Sequence, residues 1–313
     1  MIDTAVILAA GRGSRLKEVT AHRSKAMVPI AGKPIIERVM DELRVAGISK
    51  LIVVGAPHDT ELETFCSASA CIKFVAQPIP KGSADALKQA ETSVPDRFVV
   101  CACDSIVPSA DLIRLWKGHS LAAVATLGVQ EVAPTVSLSS RSVLVMRGDR
   151  VEKIIEKPTP EQRTTNLSSL PLYVLSKNIF AELSELKPST RGEYELPEAF
   201  QNVIAKGGVI NGVTIPSRMD LTDQTDLLAL NEYFLKRQSP AVLVSDSFVP
   251  SSAVLEGPVL VESEVSLGQG VHLGPCVYIE KGASVSDGVR LERVVVLRGA
   301  KVASSASGRV IVT

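Results

Sequence analysis

Aromatic residues are scarce in this chain of 313 residues, at 4% of the total, too few for the stacking platforms of a single-strand nucleic-acid binder. An excess of one charge is lacking as well. Lys+Arg and Asp+Glu stand at 34 each and no stretch carries a long run of either sign, which leaves no basic footprint for nucleic acid or an anionic membrane surface. No window approaches the ~20 apolar residues of a membrane helix. The apolar run Ala5–Ala10 follows an acidic residue and leads into glycines, where a signal peptide needs a basic flank and a longer stretch. Cys66, Cys71, Cys101, Cys103 and Cys276 form no CxxC pair and no zinc spacing. Their odd number suits reduced thiols, so a cytoplasmic protein is expected. His22, His58, His119 and His272 are scattered, and no imidazole-centred constellation is predicted.

What is present is alternation. Ala5–Leu8, Leu51–Val54, Phe74–Ala76, Phe98–Cys101 and Ala122–Leu127 read as buried strands. Helices are predicted at Pro34–Ala46, Thr60–Ser67, Ser83–Thr92 and Ala110–Lys117. Pro34 suits a first helical turn, and Gly47 suits a left-handed stop. The order strand–helix–strand predicts an α/β class with a mixed, mostly parallel sheet covered on both faces. In such sheets ligands bind beyond the C-terminal strand ends. From Val143 to Thr214 the pattern is mixed, with a hairpin of Val143–Met146 and Val151–Ile155 around Gly148-Asp149 and a helix near Glu195–Ala205. A last helix, Thr225–Arg237, is expected to bury Leu227, Leu230 and Phe234 before Gln238-Ser239-Pro240 ends it.

The sequence then changes character. Val249, Leu255, Val261, Leu267, Leu273, Ile279, Val285, Leu291 and Leu297 recur every six residues, with Ala253, Val259, Val265, Val271, Val277, Ala283, Val289 and Val295 two positions earlier. Residues two apart on a strand face one way, so each pair is expected to point inward before a corner. Stacked units of this kind bury a continuous aliphatic core. The pattern resembles the hexapeptide repeat of left-handed β-helix proteins. Domains are expected at residues 1–238 and 241–313.

After the first strand the chain reads Leu8-Ala9-Ala10-Gly11-Arg12-Gly13-Ser14-Arg15-Leu16. Two glycines let the backbone turn tightly and aim amides at one point, an anion-binding nest. Leu16 stands where a dinucleotide fingerprint needs a small residue, and Gly32-Lys33-Pro34 lacks the hydroxyl of a P-loop. Lys25, ten residues beyond Arg15, adds a second cation. Two fixed cations at a phosphate site are what phosphoryl chemistry requires.

The run from Ala5 to Pro34, including Ser24-Lys25-Ala26-Met27-Val28-Pro29-Ile30-Ala31-Gly32-Lys33-Pro34, resembles the signature of the sugar-1-phosphate nucleotidylyltransferases. Ser14 replaces the usual Thr, and Ser24 the usual Pro. The resemblance implies a Rossmann-like nucleotidyltransferase domain joined to a short left-handed parallel β-helix. It implies nucleotide binding by Leu8, Ala10, Gly11, Gly13, Ser14, Gln77, Gly82 and Ser83, with Gln77 and Gly82 meeting the nucleobase. Arg15 and Lys25 become the catalytic cations. Asp104 and Asp220 become ligands of Mg2+, although either alone reads as a turn residue. Glu156-Lys157-Pro158, Tyr173 and Arg191-Gly192-Glu193-Tyr194-Glu195 look like the family's sugar-phosphate segments, which assigns Glu156, Lys157, Tyr173 and Glu193 to that substrate.

The implied reaction joins a nucleoside triphosphate, UTP or dTTP favoured, to glucose or N-acetylglucosamine 1-phosphate, with release of pyrophosphate. A homo-oligomer is implied, with a trimer through the β-helix as one form, and no nucleic-acid or membrane partner. Departures cluster in the sugar pocket. Cys103-Asp104 stands for Gly-Asp, Val136-Ser137 occupies the region Pro134–Ser140 where a sugar-contacting Gly is usual, Pro171-Leu172 precedes Tyr173, and Asp220-Leu221-Thr222-Asp223 replaces Asp-Ile-Gly-Thr. They keep open a non-catalytic subunit that binds nucleotide or sugar. An acyltransferase in the β-helix is the third alternative, and it needs an imidazole base, for which His272 is the one candidate in that region.

Overall fold

A computed structural model describes residues 2–11, 13–133, 141–189 and 191–313. Contacts divide the chain into two compact units, Met1–Gly11 with Val39–Arg218, and Arg12–Arg38 with Met219–Thr313.

The first unit is built on a nine-stranded sheet. In chain order its elements are β1 (Thr4–Leu8), α1 (Ile35–Val45, shared across the division), β2 (Lys50–Gly55), α2 (Thr60–Ser67), β3 (Ile72–Ala76), α3 (Ser83–Lys88), β4 (Arg97–Ala102), α4 (Ser109–Lys117) and β5 (Ala125–Glu131). The hairpin β6 (Ser142–Arg147) and β7 (Arg150–Glu156) follows, then β8 (Leu167–Ser176), α5 (Ile179–Glu185), α6 (Leu196–Ala205) and β9 (Ile210–Thr214). The sheet order is β3-β2-β1-β4-β8-β5-β9-β7-β6.

Strands β1 to β4 are parallel, as helical crossovers require. From β8 onward most pairings are antiparallel, with β9 beside β5 the parallel exception. The mixed sheet expected from the sequence is present, hairpin included, but its parallel part is largely confined to one half, because the β6–β7 hairpin and β8 enter the sheet antiparallel after α4. Val6, Val100, Leu127, Leu175 and Phe200 lie in one apolar cluster.

The helix expected at Pro34 begins one residue later, because Lys33–Pro34 pairs with Pro29–Ile30 as a short antiparallel ladder. Gly47 ends the helical region with φ 100°, as its residue type predicted. Helix α3 stops at Lys88, short of the expected Thr92, and a single 3-10 turn covers Glu91–Ser93. Strand β5 starts at Ala125 rather than Ala122, since Ser120–Ala123 forms a turn.

In the second unit, helix α7 (Gln224–Leu235) is capped by Asp223, whose carboxylate accepts from the amides of Thr225 and Asp226. Leu227, Leu230, Asn231 and Leu235 are buried. Phe234, expected inside, is half-buried, with the Arg38 guanidinium 4.2 Å above its ring. The hexads form stacked parallel strands. Leu255 pairs with Leu273, and Leu273 with Leu291, each eighteen residues on. Val259 pairs with Val277, and Leu267 with Val285, at the same offset. Three rows of strands enclose an aliphatic core of Val261, Leu267, Leu273, Ile279, Val285 and Leu291. Helix α7 packs on strands of this coil.

The repeat slips once. The six-residue spacing places Val295 and Leu297 in the core, yet Val294 and Val296 enter it and stand beside Val277 and Ile279. Val295 and Leu297 are buried outside that cluster. The corner between tolerates the lost residue because Arg293 adopts φ 51° and its amide donates to Pro275 at 2.9 Å.

Candidate active site

In the first unit the C-terminal ends of β1 to β4 share one edge, the edge where parallel sheets hold ligands. Leu8 and Ala102 are register partners, and the Cys103 amide donates to the Leu8 carbonyl at 3.2 Å. Ala9 donates to Val54 at 2.8 Å. Leu8, Ala10 and Gly11 thus leave the sheet beside Asp104, and Gln77 follows the end of β3 with its amide on Gly55 at 2.8 Å. Cys103, which stands where the family often has Gly, is buried, and Asp104 is half-buried.

The segments assigned to nucleobase and sugar are joined. Gln77 is buried and its side-chain amide donates to the Gly82 carbonyl at 3.2 Å and to Asp85 at 2.8 Å. Gly82 has φ 110°, and a methyl group there would lie 2.4 Å from the Tyr194 carbonyl oxygen; both facts exclude a side chain. Tyr194 donates its amide to Lys81 at 2.7 Å, and Ala84 donates to Tyr194 at 2.9 Å. Ser83 opens α3, and its hydroxyl accepts from the amide of Leu196 at 3.1 Å, which caps α6.

A charged cluster continues from this clamp. Lys157, at φ 48° after β7, places its ammonium 2.8 Å from Glu195 and 3.9 Å from both Glu156 and Glu193. Arg191 donates to both oxygens of Glu195, at 2.8 and 2.6 Å. Burial raises Glu195, but the hydrogen bonds from Lys157 and Arg191 outweigh it and hold the carboxyl below its usual range. Burial pushes Glu156 up, against a hydrogen bond from the Ser142 hydroxyl and with help from Glu195. Burial, then Glu195 and Glu156, also raise Glu198. Tyr173 lies in the core, edge-on to Phe200 with ring centroids 5.0 Å apart, and burial followed by the Glu156 charge pushes its phenol up.

In the second unit Ser14 and Arg15 are exposed and Lys25 is half-buried. Gly13 has φ 61°, and a methyl there would meet Thr20 Cγ2 at 3.2 Å and Lys25 Cβ at 3.3 Å. The Thr20 hydroxyl donates to the Gly13 carbonyl at 3.3 Å. The glycine loop is therefore packed from behind by the segment carrying Lys25. Asp220 lies half-buried in the two-residue strand Met219–Asp220.

Among the predicted residues, Gln77, Gly82, Ser83, Glu156, Lys157 and Glu193 form one connected group in the first unit, with Leu8, Ala10, Gly11 and Asp104 on its strand edge. Gly13, Ser14, Arg15, Lys25 and Asp220 belong to the second unit. The region Pro134–Ser140, where the sugar-contacting glycine is missing, lies outside the described residues, as does Arg12. Ser142 and Glu195 were not singled out from sequence. Glu195 carried a signal, its spacing of four from Arg191; Ser142 carried none.

The histidines hold no shared site. His22 and His58 are exposed. His119 Nδ1 lies 2.9 Å from the Thr126 hydroxyl, and burial, then Arg97, lowers its pKa. His272 Nδ1 lies 2.9 Å from Arg290 and Nε2 lies 3.1 Å from Glu256. Arginine can only donate, so Nδ1 accepts and Nε2 carries the proton. Neither nitrogen is left for a base.

The sequence pattern of the family described as Nucleotidyl transferase matches residues 4–236, and the chain belongs to that family. The resemblance read from its motifs is borne out. The bifunctional protein GlmU of Methanococcus maripaludis (strain C7) is 29% identical over 260 residues, covering 82% of this chain and 60% of that protein. The chain thus spans about three fifths of the length of such curated relatives. The UTP–glucose-1-phosphate uridylyltransferase AglF of Haloferax volcanii is 31% identical, covering 69% of this chain and 90% of that protein. A solved structure of UDP-glucose pyrophosphorylase complexed with UDP-glucose matches the fold with a TM-score of 0.67 at 24% identity, covering 76% of this chain and all of that one. Among the described residues no helix is long and apolar enough to cross a membrane.

Proposed function

We propose that the protein is a sugar-1-phosphate nucleotidylyltransferase. It makes an NDP-sugar and pyrophosphate from a nucleoside triphosphate, UTP or dTTP favoured, and a sugar 1-phosphate, glucose or N-acetylglucosamine 1-phosphate favoured. The observation that carries this reading is the join between Gly82 and Tyr194. It puts a segment assigned to a nucleobase against one assigned to a sugar, as a nucleotide-sugar product requires.

The chemistry is an in-line attack. An oxygen of the sugar phosphate forms a bond to the α-phosphorus, the bond from that phosphorus to the oxygen bridging toward the β-phosphate breaks, and pyrophosphate departs with the electron pair. The nucleophile is already anionic at neutral pH, so positioning and charge neutralisation carry the catalysis. The loop amides and Arg15 take the pyrophosphate, and Lys25 stabilises charge at the α-phosphate. Lys157 meets the phosphate of the sugar. Glu156 and Glu193 accept hydrogen bonds from sugar hydroxyls, which suits a cluster with more carboxylates than cations, because ionised carboxylates only accept.

Asp104 and Asp220 would hold Mg2+, which when bound reduces the repulsion between the two anionic substrates. The donor set fits that ion. Two carboxylates leave room for waters and phosphate oxygens, the shell magnesium prefers. Among the described residues no group of three or more His, Cys, Asp or Glu is gathered for a metal. We read residues 1–238 as the nucleotidyltransferase domain and 241–313 as a left-handed β-helix that serves homo-oligomer formation, a trimer being one form, in the cytoplasm. The occupied nitrogens of His272 argue against an acyltransferase base there.

Pyrophosphate release, measured across four nucleoside triphosphates and several sugar phosphates, tests the proposal. Turnover with at least one pair is expected. Nucleotide binding by calorimetry with no release in any combination would instead favour the non-catalytic subunit.

A further inference from the structure

Residues 23–31 are held at both ends by the second unit's own framework. Arg23 and Glu280 are 257 positions apart, yet their side chains meet at 2.7 Å with only 8% and 7% of their surfaces exposed. The Glu280 carboxylate is fully used, since the Arg298 amide donates to its other oxygen at 2.8 Å and the Arg298 guanidinium lies at 3.4 Å. Downstream, the Ala31 amide donates to the Asn231 side chain at 2.8 Å, and Asn231 is 1% exposed on α7. Between these anchors Lys25 opens the one-turn helix Lys25–Met27, whose end is closed by the Val28 amide on the Lys25 carbonyl at 3.2 Å. Lys25 in turn backs the glycine loop, as its approach to Gly13 requires.

A buried ion pair is a poor way to gain stability, since desolvation consumes most of its attraction. Its strength lies in direction: a guanidinium held by a carboxylate that is itself fixed admits one orientation of the chain. We propose that the hexad coil takes part in the reaction, with Glu280 as a positioning residue that holds Arg23 and thereby fixes Lys25 and the glycine loop for the triphosphate. This rests on the reading of Lys25 given under the proposed function. Glu280 touches no substrate and acts through Arg23.

The test uses the full chain and two readouts, steady-state kinetics and backbone hydrogen exchange. Glu280→Ala is expected to lose about 10²-fold in kcat/KM for the nucleoside triphosphate, the scale of a displaced catalytic group, while KM for the sugar phosphate is retained. Exchange in residues 13–27 should rise, with that in the first-unit sheet unchanged. Glu280→Gln, which keeps an acceptor, should lose less. Lys281→Ala, on the same coil with its ammonium on Glu264 at 3.3 Å, should change neither readout. Unaltered exchange in 13–27 with wild-type kinetics in Glu280→Ala would overturn the proposal, as would a uniform rise in exchange across the chain, which marks plain destabilisation. If Glu280→Ala does not fold, Glu280→Gln and Arg23→Lys decide by the same two readouts. A wild-type protein without turnover would sink the reaction but leave the exchange result to judge the clamp.

Discussion

Two charged clusters in this chain are built on opposite plans. Around Glu195, four glutamates (Glu156, Glu193, Glu195 and Glu198) face two cations, and two of the carboxyls are pushed up toward protonation. Around Glu280 each carboxylate oxygen has a donor, and its arginine partner Arg23 is almost entirely covered. The first is unbalanced and needs something from outside, a hydroxyl, a cation or a proton. The second is closed. The contrast separates a place that waits for a ligand from a place that holds other residues still, and charge count alone would not have told them apart.

The largest expected break in that contrast concerns the cation assigned to the triphosphate and the carboxylate assigned to the metal. Lys25→Ala and Asp104→Ala should each lose at least ~10²-fold in turnover, about 3 kcal/mol of barrier, with unfolding midpoints near wild type. Wild-type rates in either would remove them from the mechanism. Gly82→Ala should follow. A methyl 2.4 Å from the Tyr194 carbonyl at φ 110° forces the clamp apart, and a loss of about 3 kcal/mol in urea unfolding is expected. A silent Gly82→Ala would mean that the two segments are not joined in solution.

Glu195→Ala sharpens the comparison from the other side. It frees Lys157 and Arg191 from their shared anchor, at a cost of about 2 kcal/mol. That is below the figure for a fully buried pair because Arg191 is 43% exposed. KM for the sugar phosphate should rise more than KM for the triphosphate if the anchor positions Lys157. The smallest effect is a slope. Glu156 is held above its ordinary 4.5 by burial, so the folded state keeps its proton longer than the unfolded chain. Its contribution to stability is therefore lost as pH rises through 4.5 toward the raised value. Glu195 runs the other way, stabilising above 4.5 and losing that contribution as pH falls through its depressed value. Glu156→Gln should flatten the decline on the rising side, and chemical denaturation at a series of pH values would detect an unchanged slope.

The parts of this molecule written in local sequence were the parts that could be read there. The six-residue spacing announced a stack of strands around an aliphatic core, since each inward pair depends on near neighbours in the chain. Leu291 to Val296 could not be read. A corner that drops one residue keeps its aliphatic composition, and the choice of Val294 over Val295 is made by Val277 on the adjacent strand. The sheet was partly legible: the β6–β7 hairpin could be read from its local pattern, whereas the antiparallel entry of β8 between β4 and β5 rests on residues distant in the chain. Nothing near Glu280 in the chain marks its role, because its partner Arg23 lies 257 positions away. Ser83 shows the intermediate case: it opens α3 in sequence, but the amide its hydroxyl takes belongs to α6.

The register of the coil also fixes how it can be lengthened. Leu255, Leu273 and Leu291 stand in line one coil apart, so whole coils could be inserted or duplicated while every later residue keeps its row. An insertion of two or three residues would turn those rows onto the wrong side, unless a corner such as the one at Arg293 absorbed it. Glu280 sets a further limit on such engineering. Any added coil must enter where it leaves that carboxylate beside Arg23, so the coil is free to grow in one direction and tied to a fixed address in the other.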